Sequence, residues 1–130
     1  MISHLQMITL FVADLDRSLA FYVNKLGFVE LSTFDDGVDR LVWLVPEAAR
    51  RDKHATTIAL YAPNDPQDPR IGGVSGVVFT ADDIEATYHE LKARGVPFTL
   101  DLIQHPYGEG EGDQEARFVD PDGNEFLLHT

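Results

Sequence analysis

Cysteine is absent from the 130 residues, which excludes disulfides, thiolate nucleophiles and sulfur-ligated zinc or iron clusters, so any metal would need His, Asp or Glu. Basic residues are scarce: 10 Lys and Arg stand against 22 Asp and Glu, for a formal net charge of −12. That balance opposes nucleic acid as a partner, because affinity for a polyanion rests on Lys and Arg displacing counterions. Long apolar runs are missing too. The opening MISHLQMITLFVADLD has no basic n-region and reaches charge before an apolar run could span a bilayer. Neither a signal peptide nor a transmembrane helix is indicated, no membrane partner is expected, and the cytoplasm is the expected location. No GxSxG elbow, P-loop, HExxH pair or dinucleotide-binding GxGxxG occurs in a supporting context. The GEGEG of residues 108–112 has no helix after it and would repel phosphate.

What is present suffices for one globular domain: 44% hydrophobic and 10% aromatic residues in a chain of ordinary domain length. Excess carboxylates read first as a solubility device and second as steering for a cationic ligand. Eight acidic residues fall between Asp101 and Glu125, where Arg117 is the single Lys or Arg.

Leu5 to Val12 is an apolar, β-prone run, followed by Asp14 and then Leu15, Leu19, Tyr22 and Leu26 at helical spacing. The pattern predicts a strand and then an amphipathic helix over about residues 15 to 26, capped by Asp14 and stopped at Gly27. The same grammar returns at Val74 to Thr80, then Ile84, Tyr88 and Leu91 before Gly95, with Asp82 and Glu85 at capping-box spacing. A shift of 69 lays Asp14-Leu15-Asp16 on Asp83-Ile84-Glu85, and a shift of 68 lays Gly27 on Gly95. Further strands are predicted at Phe28 to Phe34, Arg40 to Val45, Thr56 to Tyr61, Pro97 to Leu100, Glu115 to Val119 and Glu125 to His129. Each half therefore reads as βαβββ. Module one covers about 1–62, module two about 74–130, and the Pro- and Gly-bearing stretch 63–73 reads as the linker. Asp120-Pro-Asp-Gly-Asn124 is a tight turn joining the last two strands.

These residues resemble the vicinal-oxygen-chelate superfamily of glyoxalases, bleomycin-resistance proteins and extradiol dioxygenases. The resemblance is carried by Val12-Ala-Asp-Leu15, Ser18, Phe21-Tyr22, Leu26-Gly27-Phe28, Ala81-Asp-Asp-Ile84, Leu91-Lys-Ala-Arg-Gly95 and Asp120-Pro-Asp-Gly-Asn124, in order over nearly the whole chain. It implies an α+β fold of two βαβββ modules forming a U-shaped cleft, and a homodimer. In metal-using relatives the first and fourth strands of each module each supply one ligand. Carried over by position, those ligands fall at Met7, Ala59, Gly76 and Leu127. A soft neutral thioether and three side chains without a donor replace His or Glu. No metal or other cofactor is therefore expected, and the warrant for glyoxalase-type isomerisation or extradiol cleavage goes with the ion.

Strand alternation carries the same face along each strand. It names Met7, Thr9 and Phe11 on the first strand, Thr57, Ala59 and Tyr61 on the fourth, and Gly76, Val78, Thr80 and Leu127 in the second module as cleft lining. The alternative is that they fill a core. Trp43 fits either set. Among the histidines, His4 reads as a surface or dimer-edge residue, His54 as part of a solvated basic loop and His89 as exposed. His129 shares the parity of Leu127 and Glu125 and is a candidate for the cleft. His105 opens a glycine-rich acidic segment in which Tyr107 offers a stacking face and Glu109, Glu111 and Asp113 offer charge, unless that segment is an ordinary connection.

Three functions stay open. One is a metal-free binding protein for a small hydrophobic molecule, neutral or cationic. Another is a lyase, isomerase or dioxygenase of the superfamily, using non-standard ligands such as His129, Glu125 or His105, or metal-free acid–base chemistry at Tyr61 or His129. The last is a ligand-free dimeric scaffold.

Overall fold

Both helices begin where an aspartate can take up free backbone N–H groups. In the computed structural model, which describes residues 1–104 and 113–130, Asp14 accepts from the Arg17 N–H and Asp83 from the Ala86 N–H. Each such cap is worth about 1 kcal/mol. The second cap corrects the capping-box expectation: Asp83, not Asp82, holds the N-terminus, one residue later than the Asp82/Glu85 spacing suggests. The chain divides into two compact units, Met1–Ile71 and Gly72–Thr130.

The first unit runs β1 (Met7–Phe11), α1 (Leu15–Leu19), a wider π-helical turn (Ala20–Lys25), β2 (Phe28–Asp35), β3 (Arg40–Pro46) and β4 (Thr57–Ala62). Its sheet has the order β1-β4-β3-β2, with β1 parallel to β4 and the other pairs antiparallel. One face is the core: Leu10, Val12, Val42, Leu44, Ile58 and Leu60 are all buried. Burying one such side chain contributes about 1.5–3 kcal/mol. The helix covers that face with Leu15, Ser18, Phe21 and Tyr22. Leu19 and Leu26, expected on the buried stripe, are only half-buried. The reason is the change of pitch: the Leu26 N–H reaches back five residues to the Phe21 carbonyl, which brings consecutive Phe21 and Tyr22 inward together.

The second unit repeats the arrangement with β5 (Gly73–Thr80), α2 (Ile84–Ala93), β6 (Phe98–Gln104), β7 (Gln114–Val119) and β8 (Asn124–His129), in the order β5-β8-β7-β6. Ile84, Tyr88 and Leu91 of α2 are buried, as their spacing predicts. The core is a run of rings, with Tyr88 on Phe98 at 4.7 Å, Phe98 on Phe118 at 5.8 Å and Phe118 on Phe126 at 5.3 Å between centroids. Gly123 takes φ +83° in the turn before β8, a conformation open to glycine and strained for other residues. Among the described residues, no helix is long and apolar enough to cross a membrane.

Candidate ligand-binding site

Cross-strand partners share a face, so register decides what stands on the side of each sheet away from its helix. In the first unit Thr9 pairs with Ala59, Ala59 with Trp43, and Trp43 with Ser32. Trp43 thereby joins the open face, the choice that the sequence left undecided. Ala59 sits between Thr9 and Trp43 and is fully covered, while Thr9 is exposed.

At one end of this face is a cavity of about 680 Å³ walled by Met7, Leu31, Trp43, Ala55 and Thr57. Its polar edge is made by Ser3, His4, Gln6, Ser32 and Lys53. Met7, Trp43 and Thr57 were expected there; the remaining wall was not. His4, expected at the surface or a dimer edge, precedes β1, which starts only at Met7, so strand alternation says nothing about where it points. Leu31 and Ser32 are consecutive and both reach the cavity. A regular strand forbids that, and the bulge between Glu30 and Ser32 permits it. His54 stands edge-on to His4, with ring centroids 5.7 Å apart.

The other end of the face is occupied by the protein itself. Phe11 and Tyr61 meet edge to face at 5.6 Å, and the guanidinium of Arg70 lies 4.3 Å from the Phe11 ring centroid and 5.9 Å from that of Tyr61. Arg70 belongs to the stretch read as a linker, yet it folds back onto its own unit. Asp68 fixes it through Nε at 3.0 Å and Nη2 at 2.8 Å, and those bonds hold the Asp68 carboxyl down at about 2. The Tyr61 hydroxyl donates to Asp39. That bond, with burial second, raises the phenol above its ordinary 10.0.

The favourable Tyr61–Asp39 contribution is therefore fully present below the unfolded tyrosine value and lost as pH rises through the folded one. An alkaline absorbance titration of wild type against Tyr61→Phe should isolate one late-ionising phenol. Asp39→Asn should bring it back toward 10.0; an unmoved titration would show that Asp39 does not hold the proton.

In the second unit, Val78 pairs with Leu127 and Thr80 with His129. Gly76, Val78 and Leu127 line a smaller hollow of about 230 Å³ with Arg117 and Glu125. Gly76 lies in a bulge at φ +73°, so its position carries backbone rather than a side chain. His129 is engaged elsewhere, with Nε2 at 2.9 Å from Asp113 and Nδ1 at 3.0 Å from the Thr130 carbonyl oxygen. His105, Tyr107, Glu109 and Glu111 lie outside the described residues.

Of the four positions implied for a metal, Ala59 and Leu127 hold the same register place in the two units, whereas Met7 is paired with Thr57 and Gly76 falls in the bulge without a register partner. Met7 stands two residues before Thr9, the partner of Ala59, and Gly76 two before Val78, the partner of Leu127. Their chemistry does not fit a divalent ion: none has an oxygen or nitrogen donor in its side chain. Among the described residues no three His, Asp or Glu side chains come together as a ligand group.

Each unit is a βαβββ module whose first strand runs parallel to its fourth. The family model of the Glyoxalase/Bleomycin resistance protein/Dioxygenase superfamily matches residues 2–128, and the chain belongs to that superfamily. It is 31% identical over 100 residues to the uncharacterized protein YurT of Bacillus subtilis (strain 168), covering 72% of this chain and 76% of that protein. Among solved structures, a superfamily member from Sphaerobacter thermophilus DSM 20745 superposes with a TM-score of 0.77 at 34% identity, over 98% of this chain and 97% of that one. TnmS3, an antibiotic binding protein from Streptomyces sp. CB03234, superposes with a TM-score of 0.73 at 28% identity, over 98% and 95% of the two chains.

Proposed function

We propose that the protein binds a small hydrophobic molecule in the cavity beside Trp43, without a metal ion. The observation that carries this reading is the cavity itself. At about 680 Å³ it falls within the roughly 300–1,000 Å³ usual for small-molecule sites, whereas the hollow at Leu127, about 230 Å³, falls below it. An indole wall, a thioether and a leucine offer apolar area, and a few hydroxyl and amide groups offer orientation. The missing donors at Met7, Ala59, Gly76 and Leu127 support the metal-free part. The likeness to TnmS3, an antibiotic binding protein, supports binding rather than turnover.

Trp43 is the sole tryptophan, so its fluorescence reports on this cavity alone. A neutral nitroaromatic amide should quench it saturably in protein purified without chelator, and elemental analysis of the same sample should find no stoichiometric divalent metal. Thr57→Phe, which fills the space, should abolish the quenching while the protein still melts cooperatively. Saturable quenching that survives Thr57→Phe would sink the cavity reading. A stoichiometric metal would sink the metal-free one.

A further inference from the structure

We infer that the occupant of the Trp43 cavity is anionic: an aromatic or apolar body bearing one carboxylate or a similar group, selected by Lys53. The inference deepens the binding reading above and rests on it. It also departs from the cation preference that the acidic composition suggests.

In a chain with 22 acidic residues against 10 basic ones, a concavity would by chance be edged with carboxylates. Among the described residues that line this one there is none, and the charged group at its edge is Lys53. Three of the other basic groups of the same unit are ion-paired, whereas Arg51, which does not line the cavity, is like Lys53 without a hydrogen-bond or ion-pair partner among the described residues. Arg40 is paired with Asp35 at 3.2 Å, Arg50 with Glu47 at 3.5 Å and Arg70 with Asp68 at 2.8 Å. Lys53 has no hydrogen-bond or ion-pair partner among the described residues. The carboxylate next to it in sequence, Asp52, is committed to the backbone N–H of His54 at 2.9 Å.

An unpaired ammonium beside an indole wall presents what an aromatic anion requires: area for the ring and a charge at the rim. His4 lies on the same edge. Its Nδ1 is engaged by the Ser3 hydroxyl at 2.8 Å, and Nε2 is left for a second polar contact. Arg70, already neutralised by Asp68 and laid on Phe11, is not a competing anion receptor.

Lys53 is exposed, so its charge selects more than it binds. Exposed ion pairs are screened and individually weak, and a preference of about fivefold for an anion over its neutral isostere is the expected scale. The apolar wall supplies the rest of the affinity.

The test uses three para-nitrobiphenyl probes, alike in the ring system and differing in one substituent: carboxylate, carboxamide and aminomethyl. Each is titrated by quenching of Trp43 with inner-filter correction, at low and high salt. The carboxylate should bind about fivefold tighter than the amide, the ammonium should bind weakest, and the spread should shrink as salt rises. Lys53→Met should erase the carboxylate's advantage, and Lys53→Glu should pass it to the ammonium. If the amide quenches saturably but the carboxylate binds no tighter, or if Lys53→Glu leaves the order unchanged, the anion inference is overturned while the binding reading stands. If no probe quenches Trp43, the binding reading falls and the inference falls with it.

Discussion

Phe118→Ala is expected to lower stability by about 4 kcal/mol, the middle of the range for truncating a buried aromatic side chain. Phe118 is 1% exposed and lies in β7 where the ring system of the second unit converges. Its centroid is 5.3 Å from that of Phe126, 5.8 Å from Phe98 and 6.3 Å from Phe79. Removing the ring forfeits transfer free energy and also leaves a hole that three flat neighbours cannot close without abandoning their mutual geometry. Phe118→Leu returns most of the volume and none of the ring-edge contacts, and should cost about 1–2 kcal/mol. Urea denaturation followed by circular dichroism measures both. The midpoint should fall in the order wild type, Leu, Ala at an unchanged slope. An alanine variant within about 1 kcal/mol of wild type would mean that the ring system collapses to fill the space.

The regular elements were legible in the chain because each is announced locally. Asp14 and Asp83 precede helical spacing, alternation marks the strands, and repeat shifts of 69 and 68 carry the marks of one unit onto the other. The same arithmetic laid Ala59 on Leu127, and the register of Thr9 with Ala59 and of Val78 with Leu127 gives those two the same place, while the bulge at Gly76 breaks the correspondence with Met7. The cavity was much less legible. Half of its lining, Ser3, His4, Gln6, Lys53 and Ala55, belongs to no strand, so periodicity is silent about it. Leu31 enters through a bulge, which breaks the alternation on which the reading relied. Phe11 and Tyr61 were given the right face, but sequence spacing could not show that Arg70 would fold back over them. A pairing between residues nine and fifty-nine positions apart leaves no local signature; only Asp68, two residues before Arg70, hints that the guanidinium is held in place.

Asp120→Ala should cost about 3 kcal/mol, because one buried carboxylate satisfies three donors at once. Asp120 is 3% exposed. Its Oδ1 accepts from the backbone N–H of Asp122 and of Asn124, each at 2.9 Å, and its Oδ2 accepts from the Asn124 side-chain amide at 2.8 Å. Asn124 is itself buried, so truncating the acceptor strands its amide and backbone donors away from water. A stranded buried donor costs about 1–3 kcal/mol, which is why the loss exceeds the modest net worth of the bonds themselves. Asn124→Ala removes donor and side chain together and should cost less, about 1–2 kcal/mol. The turn also sets the start of β8: the Gly123 carbonyl accepts from the Gly73 N–H at 3.2 Å, locking the register that brings Leu127 opposite Val78. Native-state hydrogen exchange gives the local readout. In Asp120→Ala the amides of Asp122 and Asn124 should lose protection by more than the global destabilisation accounts for, while the Val77 amide, held by the Ser75 hydroxyl, should follow the global change alone. Protection at Asp122 and Asn124 that merely tracks global unfolding would show that the carboxylate is not what holds the turn.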